Sequence, residues 1–429
     1  MESIIKSDGG RDFHMCPAEE DNTEYDALET FIRAGRSIGS NGRIYMGRCA
    51  GYESQMLSKA FASGAMSAGV DVYDLNIVPA PTLSLSSRNR GDSVMICSYD
   101  DVPSMNIRNS EGIPSDPSRV CSITRNLTPL NIGSITEMND AVEKHKDAIL
   151  RILSGADCPV VIDCSSDSSS VIIPELLSEM GCDVVSVNSE MGRVNPKGIE
   201  ESDLRDLATI TAGNTGGIGI AVNNDGTRIA AVDESNRYIS PELLLALFVK
   251  YLEPKKLVVS VTTSMMIDDL SHCEIIRSGA TDRSVGSAMK TSDADFGGSP
   301  LGSFFFPKLS LCPDAVYASA LLSKIAEEGR LCEMIDALPE YYRNKDQIRY
   351  DGDRSEITER ISERVRALEY ENLIEKDGWR VEMEFGWFLV RFSSKEPVIR
   401  FNAEARDKVY LVMLMDVAKG LIENALRES

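Results

Sequence analysis

The chain has 429 residues, 42% hydrophobic and 26% charged, which excludes a wholly disordered chain and sets an expectation of roughly three domains. Its 45 basic and 67 acidic residues leave a net charge of −22. A surface of that sign repels phosphate backbones and anionic bilayers, which argues against sequence-independent nucleic-acid binding and membrane docking but leaves room for an anionic small ligand in a local pocket. No apolar run approaches the ~18 residues of a membrane span, the longest being Leu243–Val249. Met1–Gly10 lacks the apolar core of a signal peptide. The ten cysteines form no CxxC pair and there are three histidines, so a zinc site is not expected. The cysteines read as reduced thiols of a cytoplasmic protein.

Strand and helix signals alternate from Arg43 onward, the mark of an α/β chain. Arg43–Gly47 reads as a strand. Gln55–Gly69 reads as a helix with Met56, Leu57, Phe61 and Met66 as its apolar stripe. Val70–Ile77 and Ser93–Cys97 are strands, and a long helix is expected over Ile135–Leu153. The cycle restarts with strand Pro159–Asp163, a serine-rich turn at Ser165–Ser170 and helix Val171–Met180. Strands Asp183–Asn188 and Ile218–Val222 follow, then helix Pro241–Leu252 behind the N-cap Ser240. A third cycle runs from strand Leu257–Thr262 to helix Asp314–Glu328. The charged stretch Arg343–Arg354 reads as a linker. Beyond it come a helix marked by Ile357, Ile361, Val365 and Leu368, a hairpin turning near Gly386, strand Ile399–Ala403 and helix Asp407–Arg427. These elements predict three α/β domains, 1–155, 156–254 and 255–345, and a small C-terminal α+β domain, 346–429.

Ligands of such units meet the carboxyl ends of strands. Ser98, ending the strand Ser93–Cys97, could serve as a nucleophile or phosphate carrier only beside a base or metal. On residues alone it is a solvated strand end. Asn223–Arg228 carries oxygen side chains on a tight loop, with a single carboxylate at Asp225. It reads as a turn before it reads as a cation site. Phe296–Gly302 is a Gly-rich loop, weak evidence by itself. Arg391–Arg400 gathers two arginines, Lys395, Ser393 and Ser394 in an acidic chain, a composition suited to phosphate.

Order and spacing of these loops resemble the α-D-phosphohexomutases, the phosphoglucomutase and phosphomannomutase superfamily, over about Gly42–Glu428. Gly64–Pro81 (GAMSAGVDVYDLNIVPAP) is similar to the family stretch ending DLGIVPTP. Phe296–Pro307 (FGGSPLGSFFFP) is similar to FGGExSGHxxFP. Trp387–Arg400 is similar to WxLVRPSGTEPxxR. The resemblance implies four domains around a central cleft, a phosphoserine, Mg²⁺ and a bisphosphate intermediate. It also implies transfer of a phosphoryl group between the sugar 1- and 6-positions, an intramolecular phosphotransfer of the isomerase class.

The loops that would carry this chemistry diverge. The family's TASHNPxxxNGxK becomes Ile96–Arg108, with Ser98 at the phosphoacceptor position and Tyr99, Asp100 and Asp101 after it. Asn106 is displaced by one place, and Arg108 replaces the proton-transferring lysine; a guanidinium stays protonated and makes a poor base. The aspartates of DGDADR become Asn223, Asp225 and Thr227, leaving with Ser98 a degenerate metal set from which tight Mg²⁺ binding is not expected. Ser299 and Leu301 replace the sugar-reading Glu and Ser. Arg48 keeps the first arginine of GRDxRxSG. The clamp Arg391, Ser393, Ser394, Lys395 and Arg400 is largely intact. The resemblance thus implies a phosphohexomutase-family protein that binds a phosphorylated hexose with impaired or lost mutase activity. The alternatives are an active mutase working through phospho-Ser98 and a non-catalytic subunit of an active paralogue, as homo- or hetero-oligomer.

Overall fold

The computed structural model describes residues 5–7, 13–15, 27–38, 42–99, 102–115, 131–191, 198–213, 216–393 and 396–427. Asp100, Asp101, Ser394 and Lys395 lie outside the described residues. Among those described, four sheets follow one another along the chain. The first runs in the order Ile5–Ser7, Phe13–Met15, Val102–Arg108, Asp92–Tyr99, Arg43–Arg48, Asp71–Ile77, Ile135–Glu137. Arg43–Arg48 is parallel to both Asp71–Ile77 and Asp92–Tyr99. Parallel neighbours need a crossover, and helix Tyr52–Ser67 supplies one. Its Leu57, Phe61 and Ala65 pack on Ile44, Val72, Val94 and Ile96, a largely β-branched strand face.

The second sheet has the order Tyr238–Ile239, Ile229–Val232, Ile218–Val222, Pro159–Asp163, Asp183–Val187. The third has Glu274–Ser278, Lys256–Ser260, Phe296–Gly298, Phe304–Phe305. One core serves both. Helix Ala315–Glu328 buries ten side chains, and its Leu321 and Ile325 share a cluster with Val160 and Ile220 on one side and Leu257 and Phe296 on the other. The fourth sheet is antiparallel, in the order Tyr342–Arg349, Val398–Ala405, Gly386–Phe392, Trp379–Met383, Asn372–Ile374. Helices Arg354–Arg366 and Lys408–Arg427 cover it. No described helix is long and apolar enough to cross a membrane.

A seam of buried charge joins the fourth unit to the third. The Arg380 guanidinium is fully buried, donates to the carbonyls of Val261 (2.9 Å) and Thr263 (2.8 Å), and lies 3.8 Å from the centre of the Trp387 ring. Burial pulls it down to about 9. The Glu404 carboxylate accepts from Ser264 Oγ, Met265 N and Trp387 Nε1, each at 2.7 Å, and meets Arg343 at 3.1 Å.

Several expected elements are corrected. Ile135–Glu137 is not helical but a short edge strand, exposed throughout, and the helix spans Ala141–Leu150. Met56 leaves the apolar stripe and is exposed. Arg343–Arg354 is no linker: Tyr342–Arg349 pairs along its whole length with Val398–Ala405. Its alternation of charged and polar residues is that of an edge strand, where backbone bonds rather than burial give the stability.

Candidate active site

Ser98 sits at the end of the strand Asp92–Tyr99, beyond Ile96, which aligns with Arg48. It is buried, and its Oγ donates to Glu53 Oε2. Glu53 lies in the first turn of helix Tyr52–Ser67, where the positive end of the helix suits a carboxylate. Arg48 is turned inward. It donates to Asn76 Oδ1 (2.7 Å) and the Cys49 carbonyl (3.1 Å), and burial holds it below its ordinary range. Between Arg48 and Ser98 the expectation of reduced thiols fails, because Cys49 and Cys97 form a disulfide. Parallel strands that end side by side bring together two residues 48 apart in sequence.

Arg108 does not join Ser98. In the hairpin, Ser98 stands opposite Pro103, and Arg108, five residues further on, opposite Ser93. That is about 17 Å along the strand, and the odd offset puts the two side chains on opposite sheet faces. Ser98 shares the face of helix Tyr52–Ser67. The buried Arg108 guanidinium comes within 4.0 Å of Asp225 Oδ2 on the other.

Asn223–Arg228 is the tight turn that joins antiparallel strands Ile218–Val222 and Ile229–Val232. Gly226 takes φ 72°, and a Cβ there would lie 2.6 Å from Pro79. The turn's oxygens are engaged within it. Asp225 Oδ1 accepts from Asn223 Nδ2 (2.8 Å) and Thr227 Oγ1 (2.6 Å), while Asn223 Oδ1 accepts from the amides of Thr227 (2.9 Å) and Arg228 (2.8 Å). Mg²⁺ demands near-octahedral oxygens at about 2.0–2.1 Å. Ser98 points to the opposite strand face from Arg108, which meets Asp225, and the turn holds one carboxylate. Among the described residues no group of three or more His, Cys, Asp or Glu side chains could hold a metal.

The turn instead knits the first three units. Ala80 N donates to the Asp225 carbonyl (2.8 Å), Ala315 N to that of Gly226 (3.0 Å), and Ser168 Oγ to that of Asn224 (2.7 Å). Beside it, Asp167 accepts from Ala50 N (2.7 Å) and Ser168 N (2.6 Å), and burial pushes it up to about 7.

The Gly-rich loop touches the same turn. Arg228 donates to the Leu301 carbonyl (2.9 Å), and Ile229 N to that of Gly302 (3.2 Å). Ser299 is buried, and its hydroxyl accepts from Leu301 N at 3.3 Å, holding the loop's own shape.

In the fourth sheet Arg391 stands directly opposite Arg400. Arg391 meets Asp377 at 3.5 Å and Arg400 meets Glu396 at 3.2 Å. Ser393, just past the strand end, is buried, and its Oγ accepts from Glu396 N at 3.4 Å. Arg354, which the sequence did not single out, lies 5.1 Å from the centre of the Phe392 ring and donates to the Ser393 carbonyl at 3.4 Å. Glu53 and Asp167 were missed as well. Glu53 sits five residues beyond the strand end at Arg48 and Asp167 four beyond that at Asp163, in the loops that follow strand ends, the signal that could have found them.

Residues 16–109 match the model of phosphoglucomutase/phosphomannomutase alpha/beta/alpha domain I, and residues 240–342 that of domain III. A protein of Methanococcoides burtonii named as a probable phosphoglucosamine mutase is 33% identical over 414 residues, covering 92% of this chain and 95% of the relative. A phosphoglucomutase/phosphomannomutase family protein of Burkholderia thailandensis has a similar structure, with a TM-score of 0.85 at 18% identity, covering 99% of this chain and 98% of that one. The N-acetylphosphoglucosamine mutase of Aspergillus fumigatus, in complex with GlcNAc-6P and magnesium, has a TM-score of 0.55 at 13% identity over 90% of this chain and 83% of its own. The two domain matches and a third of the aligned residues identical to one relative over nearly its whole length agree: this chain belongs to the phosphoglucomutase/phosphomannomutase family of α-D-phosphohexomutases.

Proposed function

We propose that the chain is a phosphohexomutase acting on a hexosamine phosphate, with Ser98 as the phosphoacceptor. The observation that carries this reading is the pair of arginines Arg391 and Arg400 on one sheet face, a site for the substrate phosphate that does not react. The names of the relatives support an active mutase over the expectation of lost activity, and support a hexosamine as the sugar. In this reading phospho-Ser98 passes its phosphoryl group to the free hydroxyl of the sugar monophosphate. The Oγ–P bond breaks and a sugar O–P bond forms. The bisphosphate turns round, and Ser98 Oγ takes the other phosphoryl group back. Mg²⁺, where family members bind it, neutralises charge on that group. No step is assigned to it here, because Asn223, Asp225 and Thr227 bind one another.

The test is intact mass after incubation with glucosamine 1,6-bisphosphate, against a Ser98→Ala control. One added phosphoryl group on the wild type alone is expected, and no addition overturns the reading. A second reading, phosphosugar binding without turnover, draws on the separation of Ser98 from Asp225 by the first sheet. Bisphosphate bound with no mass added would select it.

A further inference from the structure

We infer that Glu53 is a catalytic residue whose carboxylate takes the Ser98 proton as Ser98 Oγ attacks phosphorus. The inference deepens the reading of Ser98 as phosphoacceptor and rests on it. A serine hydroxyl is a weak nucleophile until a base or a metal activates it. The metal-type turn lies on the far face of the sheet, with Asp225 against Arg108. On the near face the Ser98 hydroxyl already donates to Glu53 Oε2. A carboxylate accepting a hydroxyl proton is an ordinary arrangement in phosphoryl transfer.

Three features hold the pair together. Ser98 is fixed by the strand ladder, with Pro103 opposite it. Glu53 is fixed by the first turn of a 16-residue helix. The Cys49–Cys97 disulfide ties the residue before Ser98 to the segment that leads into that helix. When the Oγ–P bond forms, the proton passes to Glu53, which becomes neutral and can donate a hydrogen bond to the phosphate instead of repelling it. The sugar oxygen, leaving on the opposite side of phosphorus, takes a proton from solvent.

The experiment uses diisopropyl fluorophosphate on the full chain. In that reaction the Oγ–P bond forms, the P–F bond breaks, fluoride leaves and Glu53 takes the proton. Labelling is followed by the mass of the Ser98 peptide across pH, in wild type, Ser98→Ala, Glu53→Gln and Glu53→Asp. The wild type should label at Ser98 alone, with a rate that rises with pH. Glu53→Gln should label at least about 100-fold more slowly and lose that pH dependence. Glu53→Asp, which keeps the carboxylate, should recover part of the rate and the pH profile. Circular dichroism identifies any variant that has not folded, and the aspartate variant then decides. An unlabelled wild-type Ser98, or a folded Glu53→Gln variant labelled at the wild-type rate, would overturn the inference. Labelling that depends on Glu53 in a protein that takes no phosphoryl group from the bisphosphate would keep the base and overturn the mutase reading alone.

Discussion

Arg391 and Arg400 face each other across two paired antiparallel strands, with both guanidiniums on one side of the fourth sheet. Like charges placed directly opposite destabilise a sheet. Asp377 and Glu396 relieve this only in part, at 3.5 and 3.2 Å and half in solvent. The fold keeps an arrangement that a bound dianion would satisfy better than its own side chains do.

Arg391→Ala or Arg400→Ala should therefore weaken the binding of glucosamine 6-phosphate about 10- to 100-fold, the loss of one or two charge-assisted hydrogen bonds. Neither change should lower the melting temperature of the free protein, since each removes a repulsion. Titration calorimetry reads the first effect and thermal unfolding the second. Unchanged affinity in both variants would remove the clamp.

Wild-type protein should take up no Mg²⁺ at Asn223–Arg228, where each oxygen of Asp225 already has a partner in the turn or in Arg108. Replacing Asn223→Asp and Thr227→Asp supplies two carboxylates and should create Mg²⁺ binding measurable by calorimetry. Without the ion the double variant should be less stable, because buried like charges then meet unscreened. Tight wild-type binding abolished by Asp225→Asn would contradict this.

Stability should fall with rising pH through Asp167. Burial holds its carboxyl at about 7 in the fold, against 3.8 for an ordinary aspartate. The folded state thus binds the proton more tightly than the unfolded chain does. That contribution is complete below the ordinary value and is lost as pH climbs through about 7. Arg48, attracted to the ionised form, and Asp225, repelled by it, are its charged neighbours. The difference amounts to about 4 kcal/mol. Asp167→Asn keeps an oxygen for Ala50 N and Ser168 N and should flatten the slope between pH 4 and 7 in urea melts. Parallel slopes in variant and wild type would refute the assignment.

Reduction should cost the wild type about 2–4 kcal/mol, the usual value for a disulfide and consistent with a loop of 48 residues. A Cys49→Ser, Cys97→Ser double variant should start at the lower stability and ignore the reductant. Denaturant melts with and without dithiothreitol compare the two. A wild type indifferent to reductant would mean the thiols are unpaired in solution.

What the sequence makes legible follows from the range of the forces involved. Helix Pro241–Leu252 is read to the residue, because Ser240 caps it locally, accepting from Leu243 N. The buried strands Pro159–Asp163 and Ile218–Val222 announce themselves as β-branched runs. Ile135–Glu137 and Tyr342–Arg349 do not, since both are exposed edge strands held by backbone pairing with distant partners. The cluster Arg391–Arg400 is legible as a motif, and the facing of its two arginines needs only the hairpin register. Ser98 with Glu53, and Cys49 with Cys97, depend on which strands lie side by side, which no local pattern carries. The displaced Asn106 was a visible hint: in a strand, one place decides which face a side chain takes.

The Arg380–Glu404 seam bears on how this chain can change. Trp387 begins the strand stretch that leads to Arg391, and its ring is gripped by Arg380 while its indole nitrogen is held by Glu404. Both charges also bind the backbone of Val261–Met265 in the third unit. The C-terminal unit is therefore not an exchangeable module. A chimaera that takes this unit from a relative must take the matching 261–265 segment too, or leave buried charge on one side of the joint and buried backbone groups on the other without partners. Change in the strand that carries Arg391 is in this way chained to change in the third unit's 261–265 segment.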